Sequence, residues 1–386
     1  MNPGTLLSAV LWALSATYLP PRQRQVHQYN LPNTDKLTIQ FFTDRLDPPK
    51  ESPKLFNDQR WEFDWLTSGY GNLGEEGVGA LRVRVYSQER KEESEDIAPK
   101  VARMALRIWD RTFHRLKIDS PHDFNGGIID YFLCFGGKAG GEQLFDKELV
   151  RDRVDPSRTN VVRVNTIYIY RLDTFKEPIE MAREVAHEYG HAILPPIGGF
   201  KQPEVWADGY LGEKLFLKWI RNDIAAGRLT PDDAMGASLD KLSAWVAQNV
   251  DPLADQAAYQ EPVPALINES KGGMDDFIGL ALYVEALCPP AVFTRSLEYT
   301  ADAHKGSGEN GVTLPTDYAT YVSQAASEME SLTLSVPKSV FDSKKPIWIP
   351  MAKGTCTGAR VITRRGGWAQ VAPLTPNIIV KNPPIH

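Results

Sequence analysis

Residues 183–194 read REVAHEYGHAIL, and two of the chain's seven histidines, His187 and His191, stand four positions apart in this stretch. Residues at that spacing lie side by side on one face of an α-helix, so both imidazoles would project in the same direction. A proline at residue 178 suits the first turn of such a helix, and a Pro-Pro pair after residue 194 suits its end. The pattern predicts a helix over residues 178–194 with both histidines on one side.

The paired histidines and the glutamate between them favour a metal site. Two imidazoles at this spacing suit one tetrahedral zinc ion. Glu188 follows the first histidine directly, so its carboxylate would lie on the neighbouring flank and accept a proton from water without being a ligand. Apolar residues occupy the opposite, core-facing side: Ala182, Val185, Tyr189, Ala192 and Ile193. The alternative is that the histidines are ordinary surface or core side chains.

A catalytic zinc normally takes three protein ligands, so a third must come from elsewhere in the chain. After a turn rich in Pro and Gly, residues 203–227 predict a second helix in which Glu204 and Asp208 again stand four apart. If this helix packs across the first, Glu204 can be the third ligand and Asp208 can accept the free N–H of a ligating histidine. The alternative for Glu204 is a favourable interaction with the helix dipole.

HEYGH at 187–191 and PEVWADGYLG at 203–212 together resemble the gluzincin metallopeptidases, the thermolysin-like group with a Glu downstream of HExxH. The resemblance implies zinc ligands His187, His191 and Glu204, a general base Glu188 and an outer partner Asp208. It also implies an α+β, zincin-like fold: a twisted mixed sheet with the active-site helix, followed by a mainly helical lobe. It is sharp only over residues 183–213.

Two departures from that group bear on the ligand set. Only twelve residues separate His191 from Glu204, and Pro203 stands where relatives tend to have Asn. An aspzincin-like arrangement in which Asp208 ligates therefore stays open, although the Gly-Thr element of that group is missing. The metzincin pattern is excluded, because Leu194 occupies its glycine position and no third histidine follows nearby.

The predicted function is that of a zinc-dependent metallopeptidase acting on a peptide or protein substrate. The substrate would lie extended beside an edge strand, for which IIDYFLCF (128–135) is the candidate. The following AGGEQ (139–143) is similar to a strand-end motif of aminopeptidases in this clan. By that similarity Glu142 would hold a substrate amino terminus; the alternative is a glycine turn with a solvated Glu. Candidates for stabilising the oxyanion are Tyr210, Tyr283, Tyr299 and His304.

Other function classes are weighed against this one. There are two alternatives. One is a non-proteolytic binding or accessory protein on the same scaffold, and the other is a metal-dependent hydrolase of a small molecule. Net charge is −6 and the densest charge run, residues 88–100, is mixed in sign, so nucleic-acid binding is not expected. The chain has no Walker A loop and no GxSxG, and it thus lacks P-loop nucleotide-binding and serine-hydrolase signatures.

Composition divides the chain into four parts. Residues 1–16 are a possible signal peptide, because an apolar run from Thr5 to Pro20 contains the small residues Ala13, Ser15 and Ala16, at which a signal peptidase would cut. This predicts a secreted protein, which the sequon at 268–270 fits; the alternative is an intracellular protein with this segment packed on its core. The run is too short for a stable membrane span. The other predicted parts are a strand-rich lobe over 17–195, a helical lobe over 196–334 and an extended tail over 335–386.

Several segments carry clear helix or strand patterns. Predicted strands cover 80–87, 128–135 and 161–170, and predicted helices cover 95–117, 178–194, 203–227, 231–250, 274–290 and 315–332. The three cysteines permit at most one disulfide, and a buried apolar thiol is the favoured interpretation of each: Cys134, Cys288 and Cys356.

Overall fold

The computed structural model describes residues 27–29, 37–74, 80–88, 91–118, 127–151, 159–195, 197, 200, 205–262, 272–305 and 318–383. The possible signal peptide, the sequon and Glu204 lie outside these residues. The described chain is a mixed α+β structure with a mixed sheet, which confirms the predicted fold class at that level.

Seven strands of the first half form one sheet. They are β1 (His27–Tyr29), β2 (Thr38–Phe56), β3 (Gln59–Asn72), β4 (Leu81–Ser87), β5 (Ile128–Leu133), β6 (Gly140–Arg151) and β7 (Thr159–Tyr170). Their order across the sheet is β1-β2-β3-β4-β5-β7-β6. The pairs β4–β5 and β5–β7 are parallel, whereas the other neighbours are antiparallel. Strand β6 therefore forms the edge of the described sheet beside β7.

This order corrects one prediction from the sequence. Residues 128–135 were expected at the sheet edge, but β5 pairs with both β4 and β7 and lies in the interior. Apolar side chains on both faces of β5 are buried, as expected for an interior strand rather than an edge. The edge strand is β6, which contains the AGGEQ glycines.

Two long helices cover one face of the sheet. Helix α1 (Lys91–Leu116) and helix α2 (Pro178–Ile193) confirm the helices predicted at 95–117 and 178–194. Gly71 of β3 allows α1 to approach closely, because a Cβ at this position would lie 2.7 Å from a Leu106 methyl group and 3.0 Å from the Trp109 ring. The close packing buries the apolar side of α1 in the main core.

The opposite face of the sheet carries an outer aromatic cluster, which comprises Phe63, Tyr86, Phe132, Cys134, Tyr168 and Tyr170. Side chains of β5 and β7 alternate between this cluster and the main core, as the two-residue period of a strand requires. The tip of the β2–β3 hairpin lies over the cluster, where Phe56 stacks on Trp61 with ring centroids 3.8 Å apart. The hairpin turn is Asn57-Asp58, both with positive φ.

The second half of the described chain is mainly helical. Its helices are α3 (Ala207–Ala225), α4 (Leu239–Asn249), α5 (Asp251–Tyr259), α6 (Gly272–Leu287), α7 (Pro290–Lys305), α8 (Tyr318–Ser327) and the short α9 (Lys338–Asp342). Two expected helices differ in extent. The segment 231–250 is interrupted, because Met235 and Gly236 have positive φ, so a 3₁₀ turn over Pro231–Ala234 precedes α4.

The helix expected over 203–227 begins later than predicted. Trp206 has extended backbone angles, φ −114° and ψ 125°, and α3 starts at Ala207. The predicted start of this helix at residue 203 is therefore wrong, and the placement of Glu204 lies outside the described residues. Asp208 instead occupies the first turn of α3.

Two small antiparallel sheets follow the helices. Their strands are β8 (Ser331–Ser335), β9 (Ile347–Pro350), β10 (Thr355–Thr357), β11 (Ala359–Arg365), β12 (Trp368–Pro373) and β13 (Asn377–Lys381), in the orders β10-β13-β8 and β11-β12-β9. The Trp368 indole N–H donates to the Ala319 carbonyl in α8 at 2.9 Å, which ties one sheet to the helices.

The cysteines are all free thiols. Cys134 and Cys288 are buried as predicted, and burial raises the pKa of both thiols. Cys356 is only partly buried, contrary to the prediction, because strand β10 places it on a small sheet rather than in the main core.

Candidate metal centre

Helix α2 carries the two histidines on its partly exposed side. Pro178 occupies its first turn, and the Glu180 carboxylate accepts the backbone N–H groups of Lys176 and Glu177, which stabilises the helix start. The five apolar residues predicted for the core-facing side are all buried. The side chains of His187 and His191 are 14% and 13% exposed, so both are mostly buried but remain accessible to solvent.

The Nε2 atoms of His187 and His191 converge. They lie 3.3 Å apart, and the two rings are nearly perpendicular, with an interplanar angle of 79°. Two nitrogens that each bind one tetrahedral zinc at about 2.05 Å are separated by about 3.3 Å. The spacing of the two nitrogens therefore fits a shared zinc ion.

A carboxylate stands behind each imidazole. Asp208 Oδ1 lies 3.3 Å from His191 Nδ1, and Glu213 Oε2 lies 3.7 Å from His187 Nδ1. Burial alone would lower the pKa of His191, but the hydrogen bond to Asp208 and the charges of Asp208 and Glu188 outweigh it, and the net pKa is raised. With a carboxylate on the Nδ1 side of each ring, the two Nε2 atoms are left facing each other, an arrangement that a cation stabilises.

Three glycines allow α2 and α3 to cross closely enough to form these contacts. A Cβ on Gly190 would lie 2.5 Å from the Asp208 carbonyl oxygen, and one on Gly212 would lie 2.5 Å from the Gly190 Cα. A Cβ on Gly209 would lie 2.7 Å from His187 Nε2 and closer still to His191 Nε2. The glycine at 209 thus keeps free the space toward which both imidazoles point.

The third predicted ligand is not observed. Glu204 lies outside the described residues, and within the described ranges no three His, Cys, Asp or Glu side chains are grouped as a metal site. Asp208 contacts Nδ1 of His191, on the ring edge away from the convergent Nε2 atoms. The structure therefore brings together His187, His191, Glu188 and Asp208 of the predicted set.

The Glu188 side chain projects from α2 toward the start of the edge strand β6. It is 4% exposed, and its Cγ would lie 2.6 Å from a Cβ on Gly141, so only glycine fits at that position of β6 without displacement. A cavity of about 430 Å³ opens at this point. Its lining comprises Ala139, Gly140, Gly141, Thr174, Phe175, Glu180, Arg183, Glu184, His187, Glu188, Tyr210 and Glu213.

Tyr210 is the oxyanion candidate that the structure brings to the cavity. Its ring stands edge-on to His187, with centroids 4.8 Å apart. Tyr283 is buried and donates to the Trp348 carbonyl at 2.9 Å, and Tyr299 donates to Glu328, so both side chains lie elsewhere. The side chain of His304 lies outside the described part of the chain.

Glu142 faces away from this cavity. It accepts hydrogen bonds from Lys54 Nζ and from the Tyr170 hydroxyl at 2.8 Å, beside the outer aromatic cluster. Alternation along β6 explains the outcome, because Gly141 faces α2 and the next residue must face the opposite side. The prediction that Glu142 holds a substrate amino terminus at the histidines is therefore wrong.

Glu184 and Glu213 are among the cavity residues that were not identified from the sequence. Glu184 stands four positions before Glu188, which the helical period alone would place on the same face. Glu213 reaches His187 only because α2 and α3 cross at their glycines. The spacing Gly209-x-x-Gly212 is the one local signal of such a close crossing.

Models of known protein families give no match to the chain, and curated proteins give no similar sequence. In the described part of the chain, no helix is both long and apolar enough to cross a membrane. The functional assignment therefore depends on the residues and geometry of the site.

Proposed function

We propose that the protein is a zinc metallopeptidase of the gluzincin type, with a zincin-like fold. The observation that carries the proposal is the convergence of two imidazole Nε2 atoms at 3.3 Å, each imidazole supported by a carboxylate, beside a buried glutamate in an open cavity. An edge strand that runs antiparallel to its neighbour borders this cavity. Extended peptides bind to such edges through backbone hydrogen bonds.

His187, His191 and Glu204 would hold the zinc. The contact of Asp208 with Nδ1 of His191 supports a role behind the ligand and counts against the arrangement in which Asp208 itself ligates. Glu213 would support His187 in the same way. Such partners fix the tautomer so that Nε2 presents its lone pair.

When bound, the zinc supplies a Lewis acid that polarises the scissile carbonyl and makes a water molecule more acidic. Glu188 accepts the proton that the attacking water loses and delivers it to the nitrogen of the leaving amine. Its position against Gly141 places the carboxylate at the edge strand, where the substrate backbone would lie. The Tyr210 hydroxyl, on the α3 side of the cavity, would donate a hydrogen bond to the carbonyl oxygen as negative charge develops there.

Replacement of Glu188 by Gln tests the proposal. The amide keeps the shape of the side chain but cannot accept the proton, so we expect zinc content to stay at the wild-type level and peptide hydrolysis to fall by about 10²–10⁴-fold. Zinc is measured per chain in purified protein, and hydrolysis is measured with a mixed peptide library.

Glu180→Gln is a matched control, because Glu180 also lines the cavity but accepts backbone N–H groups at the helix start. It should retain most of the activity. Undiminished hydrolysis by Glu188→Gln would remove Glu188 from the mechanism. A zinc-loaded wild type that cleaves no peptide would favour the binding or accessory alternative.

A further inference from the structure

The cavity carries more negative than positive charge, and most of its charged groups already have structural roles. Four glutamates and one arginine line it: Glu180, Glu184, Glu188, Glu213 and Arg183. Arg183 donates to Glu213 at 2.6 Å, so its charge is matched. Glu180 is engaged with the backbone N–H groups at the helix start. The two remaining carboxylates, Glu184 and Glu188, lie one helical turn apart on the same face.

Both of these carboxylates point at the first residues of the edge strand. From the position that a Cβ on Gly141 would occupy, Glu188 Oε1 lies at 2.7 Å and Glu184 Oε1 at 2.8 Å. Glu184 Oε1 also lies 3.6 Å from the corresponding position on Gly140. A substrate bound along this edge must therefore pass Glu184 within about one residue of the point where it passes Glu188.

Glu184 is a half-buried carboxylate of the cavity lining. No hydrogen bond or salt bridge joins it to any described residue. Its pKa is raised, chiefly by burial, while the charge of His187 acts in the opposite direction. A partly desolvated carboxylate beside a second one is stabilised by a cation that enters the space between them.

We propose that Glu184 makes the site select substrates with a positive charge next to the bond that is cleaved, either a peptide α-ammonium group or a Lys or Arg side chain. This inference rests on the proposed peptidase function. Thr174 and Phe175 border the same cavity. They would contact the uncharged part of the selected residue, while the Glu184 carboxylate accepts hydrogen bonds from its ammonium or guanidinium group.

Three peptides of equal length distinguish the two sources of charge. The first has a free amino end and neutral side chains, the second is acetylated and contains one lysine, and the third is acetylated with norleucine in place of that lysine. The full zinc-loaded chain is assayed for kcat/KM on each, and binding of each to the zinc-free full chain is measured by calorimetry. We expect the first or the second peptide to exceed the third by about tenfold in both measurements.

Glu184→Gln should bring that ratio close to one, whereas Glu180→Gln, from the same cavity, should leave it near the wild-type value. Cleavage of all three peptides at equal rates, or a ratio that Glu184→Gln does not change, overturns the role of Glu184 and leaves the peptidase proposal standing. If no peptide is cleaved but the charged one still binds more tightly to wild type than to Glu184→Gln, the peptidase proposal falls and charge recognition stands. No cleavage together with equal binding rejects both.

Discussion

Gly209 is the single residue whose missing side chain matters most to the proposed metal site. An added Cβ would occupy the space toward which both imidazole Nε2 atoms point. We expect Gly209→Ala to abolish zinc binding at micromolar metal, because the rings must turn aside and no longer converge. The zinc-free fold should survive, since the atoms that must move are the ends of side chains and alanine favours a helix over glycine by about 1 kcal/mol. Zinc calorimetry and thermal unfolding in a chelator measure the two effects.

Zinc affinity equal to wild type in this variant would show that His187 and His191 do not share a metal. Loss of both zinc binding and the folded state would leave the two causes mixed. Substitution of Gly190 or Gly212, where an added Cβ would meet backbone rather than the imidazoles, shows the effect of a disturbed helix crossing alone and so separates the two causes.

Asp208 and Glu213 should tune the metal affinity without being ligands. Asp208→Asn and Glu213→Gln each weaken the acceptor behind one imidazole, so we expect zinc affinity to fall by about 10–100-fold in each variant. Competition with a chromophoric chelator measures this directly. A complete loss of zinc binding in Asp208→Asn alone would instead support the arrangement in which Asp208 ligates.

At the scale of elements, the crossing of α2 and α3 creates the site. Gly212 meets the Gly190 Cα, and Gly190 meets the Asp208 carbonyl, so neither position can accept a methyl group unless backbone moves. We expect Gly212→Ala to lower the free energy of unfolding by about 1–3 kcal/mol, measured by urea denaturation in the absence of metal. Gly209→Ala, on the same helix, should change this quantity much less. Equal destabilisation by the two substitutions would contradict the difference between backbone and side-chain contacts.

The parts of the site that sequence predicts are those fixed by local geometry. The spacing of His187 and His191 sets their common face, because four residues advance a helix by slightly more than one turn. The partnership of Glu213 with His187 has no such local origin, since it depends on how closely two helices cross. The same holds for the start of α3, where an extended Trp206 replaces the first helical turn expected after Pro203.

Strand order and the long hairpin show the same division between local pattern and tertiary context. The strand character of β5 is visible in its β-branched and aromatic residues, but its interior position follows from the crossover path, which places β6 outside β7. The hairpin of β2 and β3 is not predicted from the sequence, because prolines and charged residues interrupt the alternation of apolar and polar residues along β2. Its two register shifts fall within that interrupted stretch, between Arg45 and Lys50 and between Glu51 and Leu55.

For the molecule as a whole, a buried ionic cluster joins the sheet-packed helix α1 to the helical half. The Asp233 carboxylate accepts hydrogen bonds from Arg103 Nε at 2.7 Å, from Arg107 Nε at 2.9 Å and from the Thr230 backbone N–H at 2.8 Å. Arg107 and Asp233 are both fully buried. Burial alone would raise the pKa of Asp233, but the hydrogen bond from Arg103 and the charges of Arg107 and Arg103 outweigh it and hold the pKa below the ordinary value of 3.8.

A carboxyl whose pKa is lower in the folded than in the unfolded state stabilises the fold above the unfolded value, and this contribution is lost as the pH falls through the folded value. Asp233→Asn leaves two buried arginines without their carboxylate, so we expect it to lower the free energy of unfolding at pH 7 by about 3–5 kcal/mol. The difference from wild type should begin to shrink as the pH falls below about 4, where the carboxyl of the unfolded chain takes up a proton, and it should disappear as the pH falls through the lower pKa of the folded state. Urea denaturation at a series of pH values measures this difference.

Asp232→Asn, at the exposed neighbouring position, is the control and should change stability by less than about 0.5 kcal/mol. A difference between Asp233→Asn and wild type that stays constant from pH 7 to pH 3 would show that the charge of Asp233 does not join the two halves of the molecule.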